Sequence, residues 1–443
     1  MAQNPWWRDP EARRARRYPN RRQVFERLKS RLESRASRRA TLLLGPRQVG
    51  KTRLLWQVAD SLLDGGWPPR HVTYFDFSDD RITAEVSPRE VVTLAPAPVR
   101  PDLPHAFLFD EVEYFPNWAQ WLKQAVDEER HAFLVTGSAA SVLRQGSIES
   151  GLGRWDEIPI EGLSFQEYLT FLGRGEGAPS EVYRRTPNAL DRYLIMGGFP
   201  EHVGAEDPRD VLRKLREDIA EKAIRKDLLR WKVDVERVKA LFVHLVESSG
   251  SEFSREARAS DVGANVKSID EWVGLLEQTH LIKPLRRYAL ASERGSVKPS
   301  KRLRPKTRFY AADHGLISAF CSVDNPLNDP VLRGQIYEAV VFRHLREVIR
   351  ELREEAPSYY RDEKGREIDF LLHLGKRVVA VEVTSRPDAA RKASGLAGAG
   401  KRARADKLLV IHGGVSRESR DGMVASPLHE FLLDPVGTLR QEP

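Results

Sequence analysis

One stretch near the amino terminus, Thr41-Leu-Leu-Leu-Gly-Pro-Arg-Gln-Val-Gly-Lys-Thr52, constrains the fold of this 443-residue chain more tightly than any other. It reads as a buried strand, a glycine-bounded loop and the start of a helix that runs on through Arg53-Leu-Leu-Trp-Gln-Val-Ala-Asp-Ser-Leu-Leu63. Gly45 and Gly50 let the backbone curl so that successive N–H groups face an anion. A helix beginning near Lys51 adds the positive end of its dipole. The spacing predicts a phosphate cradle for ATP made of Gly45, Pro46, Arg47, Gln48, Val49, Gly50, Lys51, Thr52 and Arg53. In that cradle Lys51 reaches the β- and γ-phosphates as a catalytic cation, and the Thr52 hydroxyl takes one position on Mg²⁺.

The length exceeds one ordinary core, so two to four domains are expected. Hydrophobic residues make up 41% and charged residues 31%, which suits folded domains with a polar surface. No apolar run is long enough to span a bilayer, and the Arg-rich start lacks the apolar core of a signal peptide, so a cytoplasmic protein with no membrane partner is expected. With Cys321 the only cysteine, no intrachain disulfide and no cysteine-based zinc or iron–sulfur site can form within one chain. A net charge of +8 and a pI near 9.4 favour a polyanionic partner.

The first forty residues are dominated by arginine, as in Arg13-Arg-Ala-Arg-Arg17, Arg21-Arg22 and Arg38-Arg39, with Trp6, Trp7 and Tyr18 interleaved, and residues 1–38 read as a basic arm or helix. A nucleic-acid-contacting arm is one reading. An amphipathic helix over 20–36, packing Val24, Phe25, Leu28 and Leu32, is the other, and the helical spacing favours it. Val72-Thr-Tyr-Phe-Asp-Phe77 reads as a strand. His105-Ala-Phe-Leu-Phe-Asp-Glu-Val112 is a second, apolar until it ends in two acids. Asp110 is expected to hold Mg²⁺ through water, and Glu111 to polarise the attacking water as a general base. Trp118 to Val126 has helical spacing, and His131-Ala-Phe-Leu-Val-Thr-Gly-Ser138 reads as another buried strand.

The segments GPRQVGKTRLL, FLFDEVEYFPNW, VTGSAASVL, GRWDEIPIEGLSFQEY, MGGFPE and KTRFYAADHGL together resemble prokaryotic AAA+-like P-loop ATPases that carry a winged helix and a C-terminal domain of unknown function. The resemblance runs from Arg39 to about Thr384. It implies an α/β chain with a P-loop AAA+-like ATPase core (39–164), a helical lid and connector (165–231), a winged helix-turn-helix (232–312) and a restriction-endonuclease-like α/β domain (313–443). Thr136 or Ser138 would then sense the γ-phosphate, Ser138 being taken as catalytic. Arg154, just ahead of the last core strand, would act in trans as an arginine finger in a homo-oligomer. The Gly197-Gly-Phe-Pro-Glu201 motif is a family signature with no chemical role of its own.

In the 232–312 segment, the helix Ser268 to Glu277 is the expected recognition helix, although its exposed face is not basic. Lys283, Arg286, Arg287, Arg294, Lys298, Lys301, Arg302, Arg304, Lys306 and Arg308 gather between the two flanking strands, opposed only by Glu293. So much charge of one sign points to DNA phosphates, with Arg286, Arg287, Lys301, Arg302 and Arg304 as contacts. In the last domain, Glu338, Asp369 and Glu382 converge as a second candidate metal site resembling that of restriction-endonuclease-like folds. Such folds place a lysine two residues after the glutamate; here that residue is Thr384. The expected function is Mg²⁺-dependent ATP hydrolysis coupled to DNA binding or remodelling. Alternatives are an ATPase-gated, Mg²⁺-dependent DNA nuclease, and a nucleotide switch acting on a protein partner.

Overall fold

The computed structural model describes residues 3–9, 11–12, 18–34, 39–79, 86–97, 99–100, 103–115, 117–128, 131–137, 153–228, 231, 233–288, 306–362, 364–387, 390–420 and 422–441. They form two compact units. The first is Met1–Glu161 with Gln278–His280, and the second is Gly162–Glu277 with Leu281–Pro443.

The first unit is built on five parallel strands: β1 (Ala40–Leu44), β2 (Val72–Asp76), β3 (His105–Asp110), β4 (His131–Gly137) and β5 (Trp155–Pro159), in spatial order β2-β3-β4-β1-β5. β1 and β3 are buried along their whole length, as apolar strands covered on both faces must be. The helix Lys51–Asp64 follows β1 directly. The helix Phe25–Glu33 buries Phe25, Leu28 and Leu32, with Val24 half-buried at its cap.

Of the amino-terminal aromatics, Trp6 is core and Trp7 and Tyr18 are half-buried, so Trp6 is not available to stack on exposed bases. Trp6 is 1% exposed and meets the Trp56 ring edge-on at 5.3 Å. The indole N–H groups of Trp6 and Trp7 both donate to the Val72 carbonyl. Beside them the Asn4 side chain exchanges two hydrogen bonds with the Tyr74 backbone, and the Gln3 side chain accepts from the Asp76 N–H. Side-chain amides thus stand in for a neighbouring strand along the edge of β2. Arg13, Arg14, Arg16 and Arg17 lie outside the described residues.

The second unit starts with helices Phe165–Leu172, Pro179–Arg185, Ala189–Met196 and Pro208–Arg216, the last running into a π-helical stretch, Glu217–Ile224. Helices Val235–Glu247, Arg255–Asp261 and Val266–Gln278 follow, then an antiparallel hairpin of β6 (Ile282–Arg287) and β7 (Thr307–Ala311). After the helix Pro330–Leu352 come β8 (Ser358–Arg361), β9 (Glu367–Leu374), β10 (Arg377–Thr384), β11 (Lys407–His412), β12 (Glu418–Arg420) and β13 (Met423–Pro427). All eight strands share one sheet in the order β12-β13-β11-β10-β9-β8-β6-β7. The hairpin is therefore continuous with the carboxy-terminal strands across residue 312.

That continuity changes the reading of the basic cluster. Lys283, Arg286 and Arg287 lie on β6 itself and Arg308 on β7, not in the turn between them. Lys283 is 7% and Arg308 5% exposed, so both are interior.

The Gly197–Glu201 motif has a packing role centred on Asp313. The Asp313 carboxylate accepts the N–H groups of Gly198 and Gly315, each at 2.9 Å. A Cβ on Gly197 would fall 2.0 Å from one of its oxygens, and a Cβ on Gly162 2.3 Å from the other. Gly197 also sits at φ 79°, in the left-handed region. Three distant segments, around Gly162, Gly197 and Asp313, can close on one carboxylate only because glycines line it.

Candidate functional site

In-register parallel pairing brings Leu44 level with Gly137, and Asp110 level with Asp76, so the carboxyl ends of β1, β3 and β4 share one edge of the first sheet. The loop 45–50 turns over that edge. A Cβ on Gly45 would lie 2.1 Å from the Ile160 carbonyl oxygen, so no larger residue fits. Gly50, at φ 93°, caps the Lys51–Asp64 helix, whose leading N–H groups have no partner within the helix. Pro46 and Val49 are buried beneath the loop and Arg47 is half-buried, while Gln48, Thr52 and Arg53 are exposed. Lys51 is 7% exposed and its Nζ donates to the carbonyls of Gly45 and Pro46, each at 2.8 Å. Burial pushes its ammonium pKa down, and the nearby carboxylates of Glu111, Glu113 and Asp110 pull it back up.

Asp110 is 1% exposed. Its Oδ1 accepts the Thr136 hydroxyl, its Oδ2 accepts the Tyr74 hydroxyl at 3.0 Å, and the Thr52 hydroxyl bonds to the same carboxylate. Burial pushes the Asp110 carboxyl up, against the stabilising hydroxyls of Thr136 and Thr52. Burial, together with the charge of Asp110, pushes the Tyr74 phenol far above its ordinary value, so it stays a donor. Glu111 leaves the strand geometry at φ 50°, ψ 46°. Its N–H donates to Thr136 Oγ1 at 3.0 Å, and its Oε2 meets Arg47 Nη1 at 3.2 Å. A hydroxyl and a carboxylate in contact beside an anion-binding loop are the hard oxygen donors that Mg²⁺ takes alongside phosphate and water. Thr52 and Asp110 therefore fit the ion.

Ser138 lies outside the described residues; Thr136, one of the two alternatives at that strand end, occupies the site. Arg154 does not reach this edge. It pairs with Asp127 at 3.0 Å and precedes Trp155, which is level with Ala40 at the amino end of β1. The loop follows the other end of that strand, about 16 Å away at ~3.3 Å per residue. Two contributors escaped sequence reasoning. Tyr74 carries no signal beyond its place in an apolar strand. Arg22, 7% exposed, donates to the carbonyls of Val49 and Glu161, each at 3.0 Å, and so ties the loop to the residue that ends the unit. In a run of arginines it looks like surface charge.

In the second unit Glu338, Asp369 and Glu382 do approach one another. Burial, then the charge of Asp369, pushes the Glu338 carboxyl up to about 8, and Glu382 acts in the same direction. The Tyr310 hydroxyl donates to Glu338 Oε1, with Arg308 Nη1 3.8 Å from the same atom. Arg308 also pairs with Glu367 and lies 4.3 Å over the Tyr359 ring. Asp369 Oδ2 accepts the Val383 N–H at 2.8 Å. Thr384 is 9% exposed, and its hydroxyl oxygen accepts the Arg386 N–H. Arg377 opens β10, about 16 Å along the strand from Glu382 at ~3.3 Å per residue. Among the described residues no group of three or more His, Cys, Asp or Glu is placed to hold a metal ion.

Of the basic residues expected on DNA, Arg286 is exposed, Arg287 donates to the Arg361 carbonyl at 2.7 Å, and Lys301, Arg302 and Arg304 lie outside the described residues. Among the described residues no helix is long and apolar enough to cross a membrane.

Residues 37–169 match the AAA domain family model (AAA_14), 187–327 match a domain of unknown function (DUF8612) and 333–431 another (DUF4143). An uncharacterized protein of Haemophilus influenzae is 22% identical over 288 residues, covering 62% of this chain and 67% of that protein. Among solved structures, the ORC2 protein of Aeropyrum pernix aligns at 14% identity over 72% of this chain and 95% of its own, with a TM-score of 0.38. The replication initiator DnaA, bound to AMPPCP and single-stranded DNA, aligns at 13% over 58% and 86%, with a TM-score of 0.29. At such scores the fold rests on the strand order and loop geometry described above. Those features and the AAA match give the first unit the P-loop α/β architecture of the AAA domain family.

Proposed function

We propose that the chain is a Mg²⁺-dependent ATP hydrolase whose turnover acts on DNA gripped by the second unit. The observation that carries this reading is the meeting of Lys51, Thr52, Asp110 and Glu111 at one sheet edge, held by Thr136 and Tyr74. The loop N–H groups and Lys51 bind and orient the phosphates. Thr52 and Asp110 hold Mg²⁺, which when bound neutralises phosphate charge. Glu111 takes the proton of the attacking water, and Asp110, kept in place by three hydroxyls, stays out of proton transfer. Arg154, remote from its own site, completes a neighbour's site in an oligomer.

The helices Val235–Glu247, Arg255–Asp261 and Val266–Gln278 followed by the β6–β7 hairpin have the order of a winged helix, and exposed Arg286 with Lys306 supports phosphate contact there. One observation favours a second reading, a protein partner for this element. The exposed residues of Val266–Gln278 are Val266, Lys267 and Glu271, which is no base-reading face. Equilibrium binding of duplex DNA at rising salt, with ATP turnover measured in parallel, separates the two. Turnover stimulated by DNA, with affinity falling as salt rises, supports the DNA reading. Turnover indifferent to DNA, with no salt-sensitive binding, sinks it in favour of the protein partner.

A further inference from the structure

We infer that Arg47, the third residue of the phosphate loop, is a positioning residue for Glu111 and acts on the chemical step, not on nucleotide affinity. The inference rests on the ATPase reading above and assigns a task within that site. Glu111 follows Asp110 directly, and its backbone leaves the strand geometry. At φ 50° and ψ 46° it sits in the left-handed region, which is strained for a non-glycine residue and needs its surroundings to hold it. Two groups do so from different elements. Thr136 on β4 accepts the Glu111 N–H while its own hydroxyl donates to Asp110 Oδ1. Thr136 thereby fixes the backbone between the two acids.

The side chain is fixed by the loop. Arg47 Nη1 reaches Glu111 Oε2 at 3.2 Å, with the two side chains only 19% and 18% exposed. A charge-assisted bond in a site so shielded from water is strong and directional. Because a guanidinium is planar and always charged, it restrains the orientation of the carboxylate as well as its location. It engages one oxygen, Oε2, so the other can face a water. The neighbouring cation does not duplicate this contact, since Lys51 Nζ is turned to the carbonyls of Gly45 and Pro46. The Arg47–Glu111 pair thus joins loop and general base, and Arg47 lies inside the segment that closes on phosphate. Arg47 sets the aim of Glu111.

The test compares Arg47→Ala, Arg47→Lys, Glu111→Gln and the double variant Arg47→Ala/Glu111→Gln in the full chain. Phosphate release gives kcat and KM, and a fluorescent ATP analogue gives Kd. Arg47→Ala should lower kcat by about ten- to a hundred-fold, the loss of one charged hydrogen bond, with Kd within about three-fold of the parent. Arg47→Lys, which keeps the charge and loses the plane, should recover part of the loss. In the Glu111→Gln background, Arg47→Ala should do nothing further, because the group it positions is gone. A Kd that rises while kcat holds makes Arg47 a phosphate ligand and overturns the inference. A kcat that increases makes the pair a brake and overturns it too. If Arg47→Ala turns over normally while Glu111→Gln is inactive, the inference alone fails; if the parent and Glu111→Gln both lack ATP turnover, the ATPase reading fails with it.

Discussion

Two groups of carboxylates gather in this molecule, Asp110 and Glu111 at the end of β3 and Glu338, Asp369 and Glu382 from a helix and two strands, and their surroundings differ. Asp110 and Glu111 are held by neutral hydroxyls from Thr52, Tyr74 and Thr136 and by one loop arginine, with Lys51 close by and partly exposed Thr52 leading outward. Glu338, Asp369 and Glu382 are held by Tyr310, by a backbone N–H and by Arg308, which is tied to Glu367 and stacked on Tyr359. Acids in sequence therefore say little by themselves. The first group is held by neutral hydroxyls beside an anion-binding loop, the second by a phenol and a buried arginine.

The largest effect should come from exchanging the functional acid on each side. Glu111→Gln should reduce ATP turnover by about 10²- to 10⁴-fold, the range of general-base catalysis, while the ATP analogue still binds. Asp369→Ala and Glu382→Ala should leave turnover within about two-fold, and neither parent nor variant should cut DNA in Mg²⁺. Measurable cleavage that vanishes in Asp369→Ala would erase the contrast and return the second cluster to the nucleases.

Stability should show the next largest difference. Arg308 sits 5% exposed and pairs with Glu367, whose side chain is 29% exposed, so Arg308→Ala removes a buried cation together with its ion pair and its ring contact, and should cost about 2–4 kcal/mol. Arg154 pairs with Asp127 half-exposed at the surface, and Arg154→Ala should cost under about 1 kcal/mol. Urea unfolding with hydrogen exchange resolves the two units. Equal losses would mean that Arg308 is no structural keystone and that the second cluster is more open than its contacts imply.

Local spacing made the first site readable, and distance hid the rest. Gly45 to Thr52 and Asp110-Glu111 are contiguous signals whose chemistry follows from backbone curl and strand ends. The Asp313 knot is formed by residues 115 positions apart in chain, Gly198 and Asp313, so the glycine motif had a signature and no visible reason. Trp6 and Arg22 sit among arginines, where composition suggests a solvated arm, yet both are buried because β2 has an open edge and the loop has carbonyls to satisfy. Lys283 and Arg308 were counted as free charge in a turn. They belong to strands of an eight-stranded sheet, and that sheet forms only once β8 to β13 are placed beside the hairpin.

The contrast that sets the units in opposite directions is their response to acid. His105 is 4% exposed, stacked on Phe107 at 4.4 Å and bonded to the Thr73 hydroxyl; burial, then the nearby His131 and His71, push its pKa from 6.5 down to about 3. Unfolded chains take up that proton first, so the first unit should lose stability as pH falls from 6.5 toward 3, with a limiting slope of about 1.4 kcal/mol per pH unit. Glu338 is shifted the other way, from 4.5 up to about 8, so the folded second unit holds its proton first and should gain stability as pH falls from 8 toward 4.5. Hydrogen exchange of β3 and β9 peptides between pH 7.5 and 5, corrected for intrinsic rates and in EDTA, reads both slopes at once. His105→Gln should flatten only the first and Glu338→Gln only the second. Parallel slopes in the two units would mean that neither group is held as its burial dictates.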